Sequence, residues 1–367
     1  RRQRQMCIRD RIAKMEINYK QIIFAREYRG YSQTELASKI VGLSQSNLSK
    51  YEKGIGPLST DVLNRIIDFL GFPTDFYEKK ISNIAENAHY RRKKGMTKNE
   101  RSQIDLSNKL LGYIVDQMGE SVEFPDMSFR MIDLEDGYTH ETAAQYTRKY
   151  LGLKDEPVRN IFSLLERNGI IIIELDYDVD LFDGVSFLTD GGYYVIIINK
   201  NFSNDHKRFT LAHELGHLIM HTSNEFLISE YRDKEDEANR FASEFLMPSD
   251  AISNSLRGLK LQYLVELKRY WLTSMASIVR RAKDLKCITN EKYKYFSIEL
   301  SRRGYRKSEP VSVYIDMPNM YNEAYKLHKN ELEYSNEEMA TAFSLPIDVL
   351  TRFCCPTKTN LKLRLSI

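Results

Sequence analysis

Four of the seven histidines in this chain of 367 residues lie within a stretch of 16 positions. Two of them, His213 and His217, are four residues apart and enclose Glu214, which gives the pattern His-Glu-x-x-His. On an α-helix, residues four apart lie one above the other on the same face. Two histidines in that arrangement can bind one metal ion, and the neighbouring carboxylate can reach a water at an open position of that ion. The pattern therefore predicts a metal site, with Zn²⁺ as the ion.

A catalytic zinc site needs a third protein ligand, and a second predicted helix, at 234–246, offers candidates. Glu235 and Asn239 lie one turn apart beside the apolar stripe of this helix. We therefore expect Glu235 to be the third ligand and Asn239 to hydrogen-bond one of the ligand histidines. Glu237 competes with Glu235 as ligand, since three acids occupy three successive positions.

Other polar side chains near these ligands are expected to have supporting or solvent-facing roles. His221 and His206 could each supply a fourth ligand if the zinc were structural. His221 lies a full turn beyond the second ligand, so we expect it instead to hydrogen-bond a ligand or to pack against a helix. Asp236 and Glu244 are interpreted as parts of a solvated face.

The elements that must position these residues follow from hydrophobic periodicity. Helices are predicted at 140–151 (with Thr139 as N-cap), 158–168, 204–222 and 234–246, the last ended by Pro248. Strands are predicted at 170–175 and 193–199, and Asp183-Gly184 between them is interpreted as a loop. We expect the strand at 193–199 to be a core strand. The alternative is an edge strand that binds an extended substrate by β-sheet pairing.

The beginning of the chain has a different pattern, with short amphipathic helices between turn signals from residue 17 to about residue 77. The turns are predicted at Gly30, Gly42, Gly54 and Gly71, and the N-caps at Ser32 and Ser44. Packing of the apolar residues of two of these helices leaves one polar surface facing outward, formed by Gln45, Ser46, Asn47, Ser49 and Lys50. Short amide and hydroxyl side chains at a helix N-terminus can contact base edges, while Gln33 and Lys50 suit phosphates. The alternative is a small helical bundle without a DNA role.

Composition limits the other classes of function. The 54 basic and 51 acidic residues give a net charge of +3, which excludes a uniformly cationic nucleic-acid coat and a disordered acidic tail. The longest aliphatic runs have only the length of a strand, so no membrane span is expected. The four cysteines form neither a metal-ligand spacing nor a disulfide framework, which favours a reducing cytoplasm.

The sequence thus predicts a multidomain chain, with an all-α N-terminal domain, an α+β zincin-like domain and a helical C-terminal part. Residues 1–16 are interpreted as a disordered or non-native leader. The domain ranges are 17–80 for the DNA-binding head, 81–125 for a basic linker and helix, 126–255 for the zinc domain and 256–367 for the helical C-terminal region. The basic run at 91–94 is interpreted as a solvated charge run, with phosphate contacts as the alternative.

These motifs resemble those of two protein families. Residues 208–221 (R-F-T-L-A-H-E-L-G-H-x-x-x-H) and 235–248 (E-x-E-A-N-R-F-A-S-E-F-L-M-P) are similar to the ImmA/IrrE metallopeptidases, and residues 31–54 resemble a Cro/XRE-type helix-turn-helix. The first resemblance implies zinc ligands at His213, His217 and Glu235 and a general base at Glu214. It also implies cleavage of a repressor-type protein.

The leading hypothesis is a DNA-binding regulator with a zinc endopeptidase domain that cleaves a repressor or its own chain. The alternative is a non-enzymatic DNA-binding regulator or antitoxin whose zinc domain is a sensor or scaffold. The expected partners are a double-stranded DNA operator and a protein substrate, with no membrane. Dimerisation stays open, because paired half-sites are common for such DNA-binding heads.

Overall fold

A computed structural model of the chain describes residues 17–79, 97–177, 182–222, 228–229 and 231–354. The predicted leader at 1–16 and the basic run at 91–94 lie outside the described residues. The predicted fold class is confirmed, since helices form the beginning and the end of the described chain and a small mixed sheet with helices lies between them. None of the described helices is long and apolar enough to cross a membrane.

In chain order the helices and strands are α1 (Tyr19–Tyr28), α2 (Gln33–Lys39), α3 (Gln45–Glu52), α4 (Thr60–Leu70), α5 (Lys98–Gly119), α6 (His140–Tyr150), α7 (Ile161–Glu166), β1 (Ile170–Leu175), β2 (Gly184–Leu188), β3 (Tyr194–Asn199), α8 (Asn204–His221), α9 (Lys234–Leu246), α10 (Ser249–Leu256), α11 (Leu264–Trp271), α12 (Met275–Asp284), α13 (Asn290–Arg302), α14 (Met320–Asn330), α15 (Asn336–Ala342) and α16 (Ile347–Cys354).

The described residues form two compact units. The first contains residues 17–79, 97–122 and 322–354, and the second contains residues 123–177, 182–222, 228–229 and 231–321. The helices after residue 256 are therefore divided, with α11 to α13 in the second unit and α15 and α16 in the first. The functional domain ranges given above stay a prediction.

In the first unit the helices begin and end at the residues that the sequence marks. The Ser32 hydroxyl accepts a hydrogen bond from the backbone N–H of Glu35, and the Glu35 carboxylate accepts one from the backbone N–H of Ser32. Ser44 caps α3 by accepting from the N–H of Asn47. The predicted turn glycines all have positive φ, namely Gly30, Gly42, Gly54 and Gly71. Both predicted N-caps and all four turns are confirmed.

A buried ion pair fixes α1 against α3 inside this unit. The guanidinium of Arg26 donates to both carboxylate oxygens of Glu52, at 2.6 Å and 2.9 Å. Both side chains are buried, at 7% and 5% exposed. Leu36 of α2 and Leu48 of α3 are fully buried, as the helix-turn-helix interpretation requires.

The last helices of the chain belong to the same unit as α1 to α4. The Tyr113 hydroxyl on α5 donates to the backbone carbonyl of Phe343, which follows α15, at 2.7 Å. The Arg29 guanidinium at the end of α1 donates to the carboxylate of Asp348 on α16, at 3.2 Å through Nη2. The C-terminal segment thus supports the first unit rather than forming a separate body.

The second unit contains the sheet, whose strand order is β1-β3-β2. The first and third strands are parallel, and the second and third are antiparallel. The core position expected for the strand at 193–199 is confirmed, and the edge-strand alternative for it is wrong, because β3 lies in the middle of the sheet. The interpretation of Gly184 as part of a loop is also wrong, since β2 begins there and forms an edge.

The helices around the sheet match the predicted ranges with one exception. The strand β1 and the helix α9 have the predicted bounds, and α8 ends one residue early. The helix predicted at 158–168 is wrong in extent, because α7 covers only six residues. The buried Arg208 guanidinium binds the carbonyls of Val158 and Arg159 and keeps them outside the helix. The Asp316 carboxylate then accepts from the N–H of Phe162 and fixes the beginning of α7.

One prediction about the acids of α9 is wrong. Glu244 is 1% exposed, because its carboxylate pairs with the Arg281 guanidinium and accepts from Gln145. The solvated position of Asp236 is confirmed, since its side chain is 44% exposed and pairs with Arg240 at 2.7 Å.

Candidate functional site

Two histidines of α8 and one glutamate of α9 bring three potential ligand atoms together. The Nε2 atoms of His213 and His217 lie 3.1 Å apart. The carboxylate of Glu235 lies 3.3 Å from Nε2 of His217 and 3.6 Å from Nε2 of His213. The two imidazoles are fully buried, whereas the Glu235 side chain is 42% exposed. The cluster is therefore closed on the side of α8 and accessible on the side of Glu235.

This donor set fits zinc. Each of the three residues offers one ligand atom, and these atoms all lie within 4.8 Å of one another. Two imidazole nitrogens and one carboxylate oxygen are a known ligand set of catalytic zinc, which leaves a fourth position for water. Burial acts to raise the pKa of Glu235, but the adjacent imidazoles of His213 and His217 outweigh it and lower that pKa well below its usual range. Glu235 is therefore ionised, as a metal ligand must be.

Two glycines allow the neighbouring elements to approach α8 closely. A Cβ atom at Gly216 would lie 3.0 Å from the ring of Phe241 on α9. A Cβ atom at Gly184 on β2 would lie 2.6 Å from Cγ2 of Thr210 on α8. A Cβ at Gly184 would force β2 or Thr210 to move, and one at Gly216 would leave a tight contact that Phe241 must relieve by a small shift. This packing brings Glu235 to the histidines from one side and β2 to α8 from the other.

The carboxylate of Glu214, between the two histidines, contacts the strand β2. The Ser186 hydroxyl donates to Oε2 of Glu214 at 2.7 Å. Glu214 is fully buried, and Ser186 is 1% exposed. The strand thus fixes the orientation of the carboxylate that the sequence assigns to acid–base chemistry. This contact is not predictable from local sequence, because no spacing rule links a serine to a carboxylate 28 residues away.

The two supporting residues proposed from sequence differ in their surroundings. Nδ1 of His221 lies 2.9 Å from Nδ1 of His217, and Nε2 of His221 lies 2.8 Å from Oε2 of Glu237. Asn239 lines a cavity between α8 and α9, and no hydrogen bond joins its side chain to His213 or His217 within the described part of the chain. The role expected for Asn239 stays a prediction.

The competing ligands are directed elsewhere. Glu237 accepts two hydrogen bonds from Arg232 and contacts His221 rather than the histidine pair. Burial acts to raise the pKa of Glu237, but hydrogen bonds from His221 and Arg232 lower it to about 2. His206 stacks on Phe202 and lies 3.3 Å from the carboxylate of Asp183. Neither Glu237 nor His206 belongs to the cluster of three ligand atoms.

A cavity of about 830 Å³ lies between α8, α9 and the helices α11 to α13. Its wall includes His206 and Phe209 of α8, Asn239 of α9 and Arg280 of α12.

Of the six residues proposed to contact DNA, Gln33 begins α2, Gln45, Ser46 and Asn47 form the first turn of α3, and Ser49 and Lys50 follow in its second half. Gln45, Ser46, Asn47 and Lys50 are exposed, and Ser49 and Gln33 are half-buried. The Gln33 amide donates to Glu52, and the Gln45 amide donates to Gln33. The two glutamines are therefore positioned by the buried Arg26–Glu52 pair, while Ser46, Asn47 and Lys50 are exposed to solvent.

Two family models match the chain. Residues 22–77 match the model described as helix-turn-helix, and residues 165–283 match the model described as IrrE N-terminal-like domain, which is a peptidase family. No curated protein and no solved structure matches significantly. The first range contains all six residues proposed to contact DNA, and the second contains the three potential metal ligands, Glu214 and Ser186.

Proposed function

We propose that this chain, in which an XRE-type helix-turn-helix domain is joined to an ImmA/IrrE-like peptidase domain, is a DNA-binding transcriptional regulator with zinc-dependent endopeptidase activity. Its substrate is a repressor-type protein or its own chain, and cleavage changes gene expression. The convergence of His213, His217 and Glu235 next to the buried Glu214 carries this proposal. Because the protein acts on DNA, we place it in the cytoplasm.

In the proposed mechanism the chain's own residues bind, orient and transfer a proton. His213, His217 and Glu235 hold Zn²⁺, which when bound supplies Lewis-acid chemistry and lowers the pKa of water. Glu214 accepts a proton from the attacking water and returns it to the leaving amine. Ser186 holds the Glu214 carboxylate in one orientation by its hydrogen bond of 2.7 Å. Burial of Glu214 excludes bulk water from this carboxylate.

The edge strand β2 supports a peptide substrate. In the described part of the chain, β2 pairs with β3 only, so one edge of the strand can pair with an extended peptide. The same strand carries Ser186, whose hydroxyl contacts the proposed general base. A peptide that pairs with β2 therefore lies along the element that orients Glu214. Pairing with an extended substrate, the alternative role given above for the strand at 193–199, is thus proposed for its neighbour in the sheet.

The DNA-binding part of the proposal rests on the exposed beginning of α3. In helix-turn-helix proteins, the N-terminal residues of the second helix contact base edges in the major groove. Gln45, Ser46, Asn47 and Ser49 are proposed to contact bases, and Gln33 and Lys50 are proposed to contact phosphates. A homodimer would suit an operator with paired half-sites.

The number of ligands disfavours the non-enzymatic alternative. A structural zinc site is closed by four protein ligands. The ring of His221 contacts His217 and Glu237, and His206 lies beside Asp183, so neither extends the cluster of three in the described chain. Three ligands and an adjacent buried carboxylate are the arrangement of a catalytic site.

The experiment that tests the proposal compares the zinc-loaded protein with its Glu214→Gln variant. Each is incubated with the products of neighbouring genes and by itself, and new peptide termini are identified by mass spectrometry. We expect one specific fragment with the wild type and none with the variant, while both bind zinc. Cleavage by the variant at the wild-type rate would contradict the mechanism. If the wild type cleaves neither itself nor any of these proteins, the non-enzymatic alternative is favoured.

A further inference from the structure

A line of hydrogen bonds leads from the candidate metal cluster to the beginning of α9. It runs from His217 through His221 and Glu237 to Arg232, with contacts of 2.9 Å, 2.8 Å and 2.7 Å in that order. The His221 side chain is fully buried, while Glu237 and Arg232 are 17% and 14% exposed. None of these three residues belongs to the cluster of ligand atoms. The direction of each hydrogen bond in this line determines which ring nitrogens carry a proton.

The direction of each hydrogen bond follows from the donors available. Arg232 has only N–H donors, so Glu237 accepts from its Nε at 2.9 Å and from its Nη2 at 2.7 Å. A carboxylate held by a guanidinium in this paired geometry is an acceptor. The hydrogen bond between Nε2 of His221 and Oε2 of Glu237 therefore has the histidine as its donor.

The donor and the acceptor in the contact between His217 and His221 then follow. A neutral imidazole, the form in which histidine can both donate and accept a hydrogen bond, carries one N–H. With its proton on Nε2, His221 can only accept at Nδ1. The contact of 2.9 Å between the two Nδ1 atoms must therefore be donated by His217. His217 in turn has its lone pair on Nε2, the atom that lies 3.3 Å from Glu235 and 3.1 Å from Nε2 of His213.

We propose that His221, Glu237 and Arg232 form a relay that holds His217 as its Nδ1–H tautomer, with the Nε2 lone pair directed at the metal position. This inference rests on the proposed zinc function and deepens it, because the three residues are positioning residues and not ligands. Without the relay, Nε2 of His217 could carry the proton and donate it to Glu235. That proton would have to move before a metal binds.

The two ligand histidines differ in whether their Nδ1 atom has a hydrogen-bond partner among the described residues. Among the described residues, Nδ1 of His213 has no hydrogen-bond partner, although the ring is fully buried. The relay therefore acts on His217 and has no counterpart at Nδ1 of His213 among the described residues.

The direct test is a long-range ¹H–¹⁵N spectrum of the metal-free protein with labelled histidine. The chain has seven histidines, and His217 is assigned by comparison with a His217→Gln variant. We expect the Nδ1–H tautomer for His217 and the Nε2–H tautomer for His221. An Nε2–H signal for His217 would overturn the relay. Since this spectrum needs neither metal nor substrate, it stands even if the protein cleaves nothing, and a negative result would leave the peptidase proposal intact.

Zinc affinity measured by competition with a chelator provides the second test. We expect His221→Leu to weaken zinc binding by about 10- to 100-fold, the effect of losing a hydrogen-bond partner of a metal ligand. His221→Asn, whose amide oxygen can replace the Nδ1 acceptor, should bind zinc nearly as tightly as the wild type. The control His206→Leu removes a histidine of the same helix outside the relay and should leave the affinity unchanged. If the asparagine variant were as weak as the leucine variant, packing alone would explain the loss and the relay would be wrong.

A charge-matched pair of variants separates the relay from simple electrostatics. Glu237→Gln and Asp236→Asn each remove one negative charge from the first turn of α9. Asp236 pairs with Arg240 and lies outside the relay. We expect only Glu237→Gln to weaken zinc binding. Equal losses in the two variants would contradict a specific role for Glu237.

Discussion

Removal of the Ser186 hydroxyl should slow proteolysis without changing zinc binding. This hydroxyl donates to Glu214 at 2.7 Å, and both side chains are buried, so bulk water cannot replace the donor in Ser186→Ala. A hydrogen bond to a charged group contributes roughly 1.5–3 kcal/mol. If that contribution is realised in orienting the general base, the cleavage rate should fall by about 10- to 150-fold. Zinc affinity should be unchanged, because Ser186 contacts Glu214 and not a ligand.

The assay is single-turnover cleavage of the substrate identified with the wild-type protein, together with zinc titration of each variant. Ser253→Ala is the matched control, since it removes a hydroxyl of the same unit whose hydrogen bond, among the described residues, is to the backbone carbonyl of Ser249. The control should cleave at the wild-type rate. If Ser186→Ala also cleaves at that rate, β2 does not orient the general base, and the mechanism assigned to this strand is refuted.

Three further predictions concern the ligand, the DNA surface and the core. Glu235→Gln should lower zinc affinity in a chelator competition by more than about 100-fold, since it removes a ligand itself; an unchanged affinity would exclude Glu235 as ligand. In DNA-binding titrations, Lys50→Ala should reduce the salt slope by about 1, whereas Asn47→Ala should cost about 1–3 kcal/mol at one base position; equal effects on all sequences would refute a base contact by Asn47. Glu244→Gln should lower the free energy of unfolding by roughly 3–5 kcal/mol, because it leaves the buried Arg281 charge unpaired. Burial acts to raise the pKa of Glu244, but the Arg281 charge and the hydrogen bonds that Glu244 accepts lower this pKa below the ordinary value of 4.5. The stabilisation by this ion pair is therefore present above pH 4.5 and is lost as the pH falls through the folded-state pKa. Denaturant titrations should therefore show a smaller loss of stability in acid for Glu244→Gln than for the wild type, and equal losses would contradict the assignment.

Local patterns in the sequence predict much of the site-bearing fold. The bounds of α9 follow from its apolar stripe and from Pro248, which cannot continue a helix. The His-Glu-x-x-His spacing places His213 and His217 on one face of α8, where the structure has them. Helix caps such as Ser32 are equally local, because the hydroxyl bonds an N–H three residues later. These features depend on residues within one or two turns.

Features that depend on distant residues are not predictable in this way. The strand β2 begins at Gly184, which by itself indicates a turn, and only the neighbouring Thr210 explains why glycine is needed there. A glutamate such as Glu244 by itself indicates a solvent-exposed position, and its burial depends on pairing with Arg281, 37 residues later in the chain. The contact between Glu237 and His221 likewise depends on the register between α8 and α9, which the sequence does not specify.

The proposed peptidase mechanism depends most directly on Glu214 acting as the general base at a zinc site. The decisive measurement is the cleavage rate of the zinc-loaded wild type and of Glu214→Gln, with the zinc content of both determined in the same samples. We expect equal zinc content and a rate lower by about 10²- to 10⁴-fold in the variant, the usual contribution of general acid–base catalysis. Equal rates with equal zinc would contradict the central claim.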